Sequence, residues 1–524
     1  MTRASLASRT FSELIRHYAA TQPDYPALIF KGRHSSYNDL EKQSNAIANT
    51  LLAAGMRKGS RVGILAKNSD QYLKILIGTA HIGAVTVGLN WRLSPKELSY
   101  ISNDSDMEAL FVGPEFLETA ALIKRETPTL KLIISIDSIH PEWPTLTDWV
   151  ANSPSSQTTI SVCADDAALQ LYTSGTTGNP KGVVLPNRAF FDPWVYQDHP
   201  EMAWNNIQSN DVCLLAMPFF HVGGIGLAFM ALRGGASAVI VPEFSPRELL
   251  KIVPEFGISR TFLVPAALRA ILLLPEAAAA DWSSLQQIIY GAAPMPEALL
   301  LEALRIIKCD FVQNYGMTEL SGTVVHLPPK DHVPGSKRLR AAGLATPNTE
   351  IKIIDSHGYA VSQGEVGEIL IRSPATMLAY WKNPEATAST LIDGYIHTGD
   401  AGYQDDDGYL YIFDRVKDMI ISGGENIYPI EVENALFNHP DITDVAVIGI
   451  PDEQWGEAVT AVVVRKEHSK VSEQELITFA KEQIATYKCP KKIVFSAELP
   501  RNASGKILKR QLRQPYWEQQ DRNL

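Results

Sequence analysis

Apolar positions along the chain fall into two alternating patterns. Residues 11–20 and 37–54 carry apolar side chains three and four apart, the spacing of a helix that buries one face, and the second run stops at Gly55. Short unbroken apolar runs at 61–65, 84–89 and 132–136 predict strands covered on both faces, with a helical pattern at 70–82 between the first two. Ser94, Pro95 and Glu97 form a helix start: the hydroxyl accepts from the amide three residues on, the proline suits the first turn and the glutamate reaches back. The alternation resumes with strand patterns at 211–215, 238–241, 261–264 and 287–290. It predicts an α/β fold with largely parallel sheet. No internal repeat is visible, although two similar α/β halves are compatible with the pattern.

From about Gly343 the texture changes to short strands and tight turns: 350–354, the turn Ser356-His357-Gly358, 368–371, and 409–413 after Asp407-Gly408. This reads as a small, mostly antiparallel, barrel-like unit. Beyond Arg415 comes a stretch rich in glycine and charge, then a compact α+β pattern with helices at 431–437 and 473–484 and strands at 445–450 and 458–464. A chain of 524 residues exceeds the ~250–300 that one hydrophobic core serves. We therefore expect a large N-terminal domain at 1–415, made of two α/β subdomains plus the β-rich unit at 343–415, and a small α+β C-terminal domain at 416–524.

Composition narrows the function. The formal charge is 47 − 58 = −11, which argues against a nucleic-acid partner. No apolar run approaches the ~18–20 residues of a membrane span, and the N-terminus lacks the apolar core of a secretory signal. Cys163, Cys213, Cys309 and Cys489 are scattered without a CxxC pair, so neither a zinc site nor a disulfide framework is indicated and a cytoplasmic setting is expected. The oligomeric state stays open, a homodimer included.

One stretch concentrates phosphate-binding groups. TSGTTGNPKG at 173–182 supplies hydroxyls from Thr173, Ser174, Thr176 and Thr177, backbone amides freed by Gly175 and Gly178, and the Lys181 ammonium. Apolar runs flank it, in a strand, loop, strand or strand, loop, helix setting. Walker A requires GxxxxGK followed by Ser or Thr, whereas Gly175, Gly178 and Lys181 run GxxGxxK with Gly182 next, so this is not a P-loop. The competing reading is a Gly/Ser/Thr-rich surface turn.

With the later motifs beside this loop, the sequence resembles the acyl-adenylate-forming superfamily, which includes acyl-CoA synthetases, luciferases and peptide-synthetase adenylation domains. The resemblance rests on TSGTTGNPKG at 173–182, MPFFHVGG at 217–224, YGAAP at 290–294, QNYGMTE at 313–319, HTGD at 397–400, FDRVKDMIISGGENIYP at 413–429 and NASGKILK at 502–509. It implies an AMP-forming carboxylic acid:CoA ligase that uses ATP, Mg2+ and CoA. Thr173 to Lys181 would hold the β- and γ-phosphates. Gly291, Ala292 and Ala293 would face the adenine, with Asn314, Tyr315 and Gly316 as the other wall. Thr318 matches the α-phosphate ligand, Glu319 the magnesium ligand, Asp400 and Arg415 the ribose contacts, and His221 the junction of the acyl and pantetheine sites.

Lys506 matches the lysine that bridges carboxylate and phosphate during adenylation, a role suited to a point charge on a long stem. The resemblance also makes the C-terminal domain mobile about a hinge at Lys417, with Gly423 and Gly424 swinging in to line the pantetheine channel. An amino-acid-activating domain is disfavoured, since it would present an aspartate where this chain has His221 and Val222. A luciferase-like activity shares the motifs, and a catalytically silent nucleotide- or acyl-binding protein is the reading from another class. Segments 219–229 and 290–295, with Phe191, Trp194, Val195 and Tyr196, are candidates for an apolar acyl pocket, which would favour a fatty, aryl or alicyclic acid.

Overall fold

Two largely parallel sheets form the body of the molecule. The computed structural model describes residues 8–173, 180–192, 200–415, 418–423, 425–502 and 506–518. A nine-stranded sheet has six parallel strands at its centre, in the order Asp310–Met317, Gln287–Gly291, Arg260–Leu263, Val212–Leu215, Ser237–Ile240 and Pro26–Phe30. A seven-stranded sheet runs Ala379–Tyr380, Lys181–Pro186, Ala167–Thr173, Val85–Gly88, Arg61–Leu65, Met107–Val112 and Leu132–Ser135, parallel from Ala167–Thr173 onward. The apolar runs end close to the predicted positions because a strand covered on both faces must be apolar throughout.

Helices pack between and around these sheets, and their starts follow local chemistry. Thr10, Ser36, Ser94 and Ser472 each complete a reciprocal capping box, with Glu13, Asp39, Glu97 and Glu475 respectively. The β-rich unit is a five-stranded antiparallel sheet ordered Glu350–Ile354, Gly367–Arg372, Tyr395–Gln404 and Leu391–Ile392, with Leu410–Arg415 also on Tyr395–Gln404. The last unit pairs the long strands Ile442–Asp452 and Gly456–Arg465, with Lys492–Phe495 parallel to the latter. The main apolar core takes its buried residues from Phe11 to Leu410, and a separate core begins at Ile420.

Helices Tyr37–Ala53 and Asp70–His81 meet at Gly78, where an added Cβ would lie 2.8 Å from the Ser44 carbonyl oxygen and 2.9 Å from Ile47 Cβ. Gly78→Ala should therefore force the helices apart and destabilise the protein by about 1–3 kcal/mol despite alanine's better helix propensity, a sign that thermal unfolding reads directly.

Candidate active site

The first corner of the site is a pair of adjacent strands. Thr173 ends one strand, Lys181 begins the next, and the two are paired in antiparallel register. Residues Ser174, Gly175, Thr176 and Thr177 lie outside the described residues.

The second corner is built by close approach of backbone. Gly291 ends its strand opposite Asn314, and a Cβ there would sit 2.2 Å from the Asn314 carbonyl oxygen. Gly316 has even less room, its Cβ falling 1.6 Å from the Gly322 carbonyl oxygen. Ala292 follows with φ of +65°, a left-handed turn that leaves it exposed and Ala293 half-buried. The Asn314 side chain also reaches the next strand, with Oδ1 2.7 Å from His326 Nδ1.

Carboxylates converge on this corner from two directions. The Tyr315 hydroxyl donates to Asp400 Oδ2 at 2.7 Å, joining the parallel sheet to the antiparallel one, where Asp400 pairs with the backbone of Arg415. Thr318 opens a single 3-10 turn, Thr318–Leu320, that carries Glu319 into the protein, and Tyr380 donates its hydroxyl to Glu319 Oε1 at 2.7 Å. The Tyr380 ring in turn lies 5.0 Å from Lys181 Nζ. Thr173, Lys181, Gly291, Asn314, Tyr315, Gly316, Glu319 and Asp400 are thus linked through direct contacts or strand register.

No cluster of three or more His, Cys, Asp or Glu side chains among the described residues could hold a metal alone. Glu319 fits a magnesium bound the usual way, through one or two protein carboxylates, substrate phosphates and water. It is buried, and its Oε2 takes no hydrogen bond from the described residues while Oε1 is held.

His221 caps the helix Val222–Arg233, and its Nε2 is buried without a hydrogen-bond partner among the described residues. Burial, with the Arg92 guanidinium nearby, pushes its pKa down to about 4, so the ring is neutral at pH 7. Val222 Cγ2 would contact a Cβ on Gly322, which places this helix start against the Gly316 turn. Gly423 and Lys506 belong to the smaller unit. Gly423, at φ of +62°, donates its N–H to the Trp455 carbonyl. Lys506 is exposed, and its backbone exchanges hydrogen bonds with Asn502. Lys417 and Gly424 lie outside the described residues.

The apolar pocket expectation is corrected in part. Phe219 packs edge-on to Tyr72, Phe229 stacks on Phe11 at 4.1 Å, and Phe191 also packs on Phe11, so all three are core. Tyr290 is core as well, its hydroxyl 3.0 Å from His332 Nε2. Trp194, Val195 and Tyr196 lie outside the described residues. The less buried stripe of the helix after His221 is Val222, Gly226 and Met230, one turn apart, and a Cβ on Gly226 would meet no atom within 4 Å. Sequence reasoning passed over Tyr380 and Arg92, and did not single out Gly226 within 219–229. The two-residue strand that holds Tyr380 has no period to detect.

His332 donates Nδ1–H to the Pro328 carbonyl, and its Nε2 lies 3.0 Å from the Tyr290 hydroxyl. Burial pushes its pKa down to about 4 and that of His326 to about 3. Each folded pKa lies below the ordinary value of 6.5, so as pH falls from 6.5 towards 4 the unfolded chain binds protons that the native state refuses. The melting temperature should drop between pH 7 and pH 5, and His332→Gln should shrink that drop; differential scanning fluorimetry at both pH values checks it.

Comparison with known proteins identifies the family. The AMP-binding enzyme family model matches residues 15–381, and the AMP-binding enzyme C-terminal domain model matches 431–506. The fatty acid–[acyl-carrier-protein] ligase ScoC of Streptomyces coeruleorubidus is 40% identical over 509 residues, covering 97% of this chain and 97% of its own. The feruloyl-CoA synthase of an Amycolatopsis species is 36% identical over 509 residues, covering 95% and 97%. The crystal structure of the anthranilate CoA ligase AuaEII in complex with anthranoyl-AMP superposes with a TM-score of 0.89 at 28% identity, covering 97% of both chains. With family models matching residues 15–381 and 431–506 and a relative 40% identical over 97% of both chains, the chain belongs to the AMP-binding, acyl-adenylate-forming enzyme family.

Proposed function

We propose that the protein is an ATP-dependent, AMP-forming acid:CoA ligase that activates an apolar carboxylic acid. The observation that carries this is the contact of Tyr380 with both Lys181 and Glu319, beside the Tyr315 hydroxyl that holds Asp400. In the first step the acid's carboxylate oxygen attacks the α-phosphorus of ATP; an acyl–O–P bond forms and pyrophosphate leaves. In the second, a thiolate sulfur attacks the acyl carbon and AMP departs. Both steps crowd negative charge, so fixed donors and cations supply most of the rate.

In this reading Thr173, Lys181 and the intervening Ser174, Gly175, Thr176 and Thr177 grip the departing pyrophosphate. Thr318 contacts the α-phosphate, and Gly291, Ala292, Ala293, Asn314, Tyr315 and Gly316 enclose the adenine. Asp400 accepts from the ribose hydroxyls, with Arg415 beside it. Glu319 holds Mg2+, which when bound neutralises phosphate charge. His221, neutral and poorly solvated, stands where acyl group and thiol meet. The domain boundary falls at 415/416, with Lys417 as hinge, so that rotation of 416–524 exchanges Lys506 for Gly423 and Gly424 at the site; the separate cores on either side support this.

The acid is taken to be apolar because Val222, Gly226 and Met230 offer no countercharge, and relatives named for fatty and aryl acids agree. A cytoplasmic setting fits four free cysteines and the lack, among the described residues, of a helix able to cross a membrane. One observation favours a second acceptor: a 40% identical relative is named for acyl-carrier protein, whose thiol arm is also pantetheine. Assaying AMP release with CoA and with a pantetheinylated carrier protein decides between them, and no carboxylate-dependent pyrophosphate exchange across a panel of acids would leave the silent binding protein.

Lys506→Ala should abolish adenylation while sparing thioester formation from supplied acyl-AMP; equal loss of both half-reactions removes the lysine from its assigned step. Gly226→Leu should lower kcat/KM for long acids more than for short ones, without loss of thermal stability, since leucine is the better helix former.

A further inference from the structure

Tyr380 lies outside the seven motifs quoted above, yet it touches the residue assigned to magnesium, Glu319, and one assigned to the phosphates, Lys181. Its phenol donates to Glu319 Oε1 at 2.7 Å, a charge-assisted bond between two groups that are each 6% exposed. Its ring face lies 5.0 Å from the Lys181 ammonium, within cation–π range. The backbone around it is pinned from both sides. Met377 N–H donates to the Glu319 carbonyl at 2.8 Å, Leu378 N–H to Val184 at 2.8 Å and Trp381 N–H to Gly182 at 2.7 Å. Trp381 is itself fixed, its indole N–H on the Asp104 carbonyl at 2.8 Å and the Arg61 guanidinium 3.6 Å from its ring centre.

A carboxylate bound by one oxygen to a phenol has a single orientation in which the other oxygen can meet a cation. A lysine held over a ring likewise has its long stem ordered before a phosphate arrives, so less entropy is lost on binding. We propose that Tyr380 is a positioning residue that sets Glu319 for the magnesium ion through its hydroxyl and Lys181 for the nucleotide phosphates through its ring. The inference rests on the nucleotide site proposed above. It assigns separable roles to two parts of one side chain.

Two variants separate them. Tyr380→Phe keeps the ring and removes the hydroxyl; Tyr380→Leu removes both. Three readouts are taken on the full chain: the ligand-free melting temperature, ATP affinity in EDTA, and Mn2+ affinity in the presence of ATP by electron paramagnetic resonance. Loss of one charge-assisted hydrogen bond predicts about tenfold weaker Mn2+ binding for Tyr380→Phe, with ATP affinity in EDTA unchanged within about twofold. Tyr380→Leu should weaken both. A merely structural tyrosine would lower the melting temperature without this split.

Mn2+ binding by Tyr380→Phe equal to that of the unsubstituted protein overturns the positioning of Glu319. ATP affinity falling as far in Tyr380→Phe as in Tyr380→Leu overturns the assignment to the ring, and the phenylalanine variant decides the metal arm even if the leucine variant fails to fold. A folded, unsubstituted protein that binds no Mn2+ with ATP overturns the nucleotide site itself, an outcome distinct from failure of Tyr380 alone.

Discussion

The site depends on a seam of backbone hydrogen bonds between two sheets that otherwise have separate strand orders. Lys181 belongs to the seven-stranded sheet and Glu319 follows a strand of the nine-stranded one. Residues 375–381 cross between them, taking the Ser321 hydroxyl on the Ala375 carbonyl at 2.8 Å, donating from Met377 to Glu319, and then pairing Ala379 and Tyr380 with Val184 and Val183. Buried backbone groups must be paired, so the crossing has little freedom to shift. The two sheets share one apolar core, and the seam fixes the placement of Lys181 relative to Glu319.

Charge is placed on that surface with restraint. Burying a carboxylate is costly unless hydrogen bonds replace water, and both Glu319 and Asp400 receive a phenol hydroxyl. The phenols come from tyrosines whose rings fill space as well as donate, which lets an apolar wall and a polar contact share one residue. His221 illustrates the opposite choice. Its pKa is pushed down by burial and by the neighbouring Arg92, so it is a neutral ring rather than a cation at pH 7.

The smaller unit has its own apolar interior around Val445, Val447, Val459 and Val463, separate from the core that runs from Phe11 to Leu410. In the proposed reading that separation lets the unit turn as a body, and the exposed Lys506 is the side chain it would deliver or withdraw.

Much of this was readable in the residues. Period alone located the strands Arg61–Leu65 and Glu350–Ile354 and the helix Asp70–His81, because burial on both faces or on one face writes itself into local spacing. Capping chemistry was legible at Ser94, where the predicted reciprocal box with Glu97 forms. Sheet order, by contrast, pairs strands far apart in the chain, and no local period encodes it. Phe219, Phe229 and Tyr290 are apolar whether they line a pocket or fill a core, and only their neighbours distinguish the two. Gly226 reads as a helix flaw until the empty space beside it is seen. Tyr380 shows the limit most plainly: as a residue it is one aromatic among eighteen tyrosines, and only the crossing of two sheets sets its hydroxyl on one functional group and its ring on another. Sequence determined which chemistry the chain carries, because residue type and short-range spacing are sufficient for that; tertiary structure decided which groups meet, because contacts between distant segments are fixed by packing.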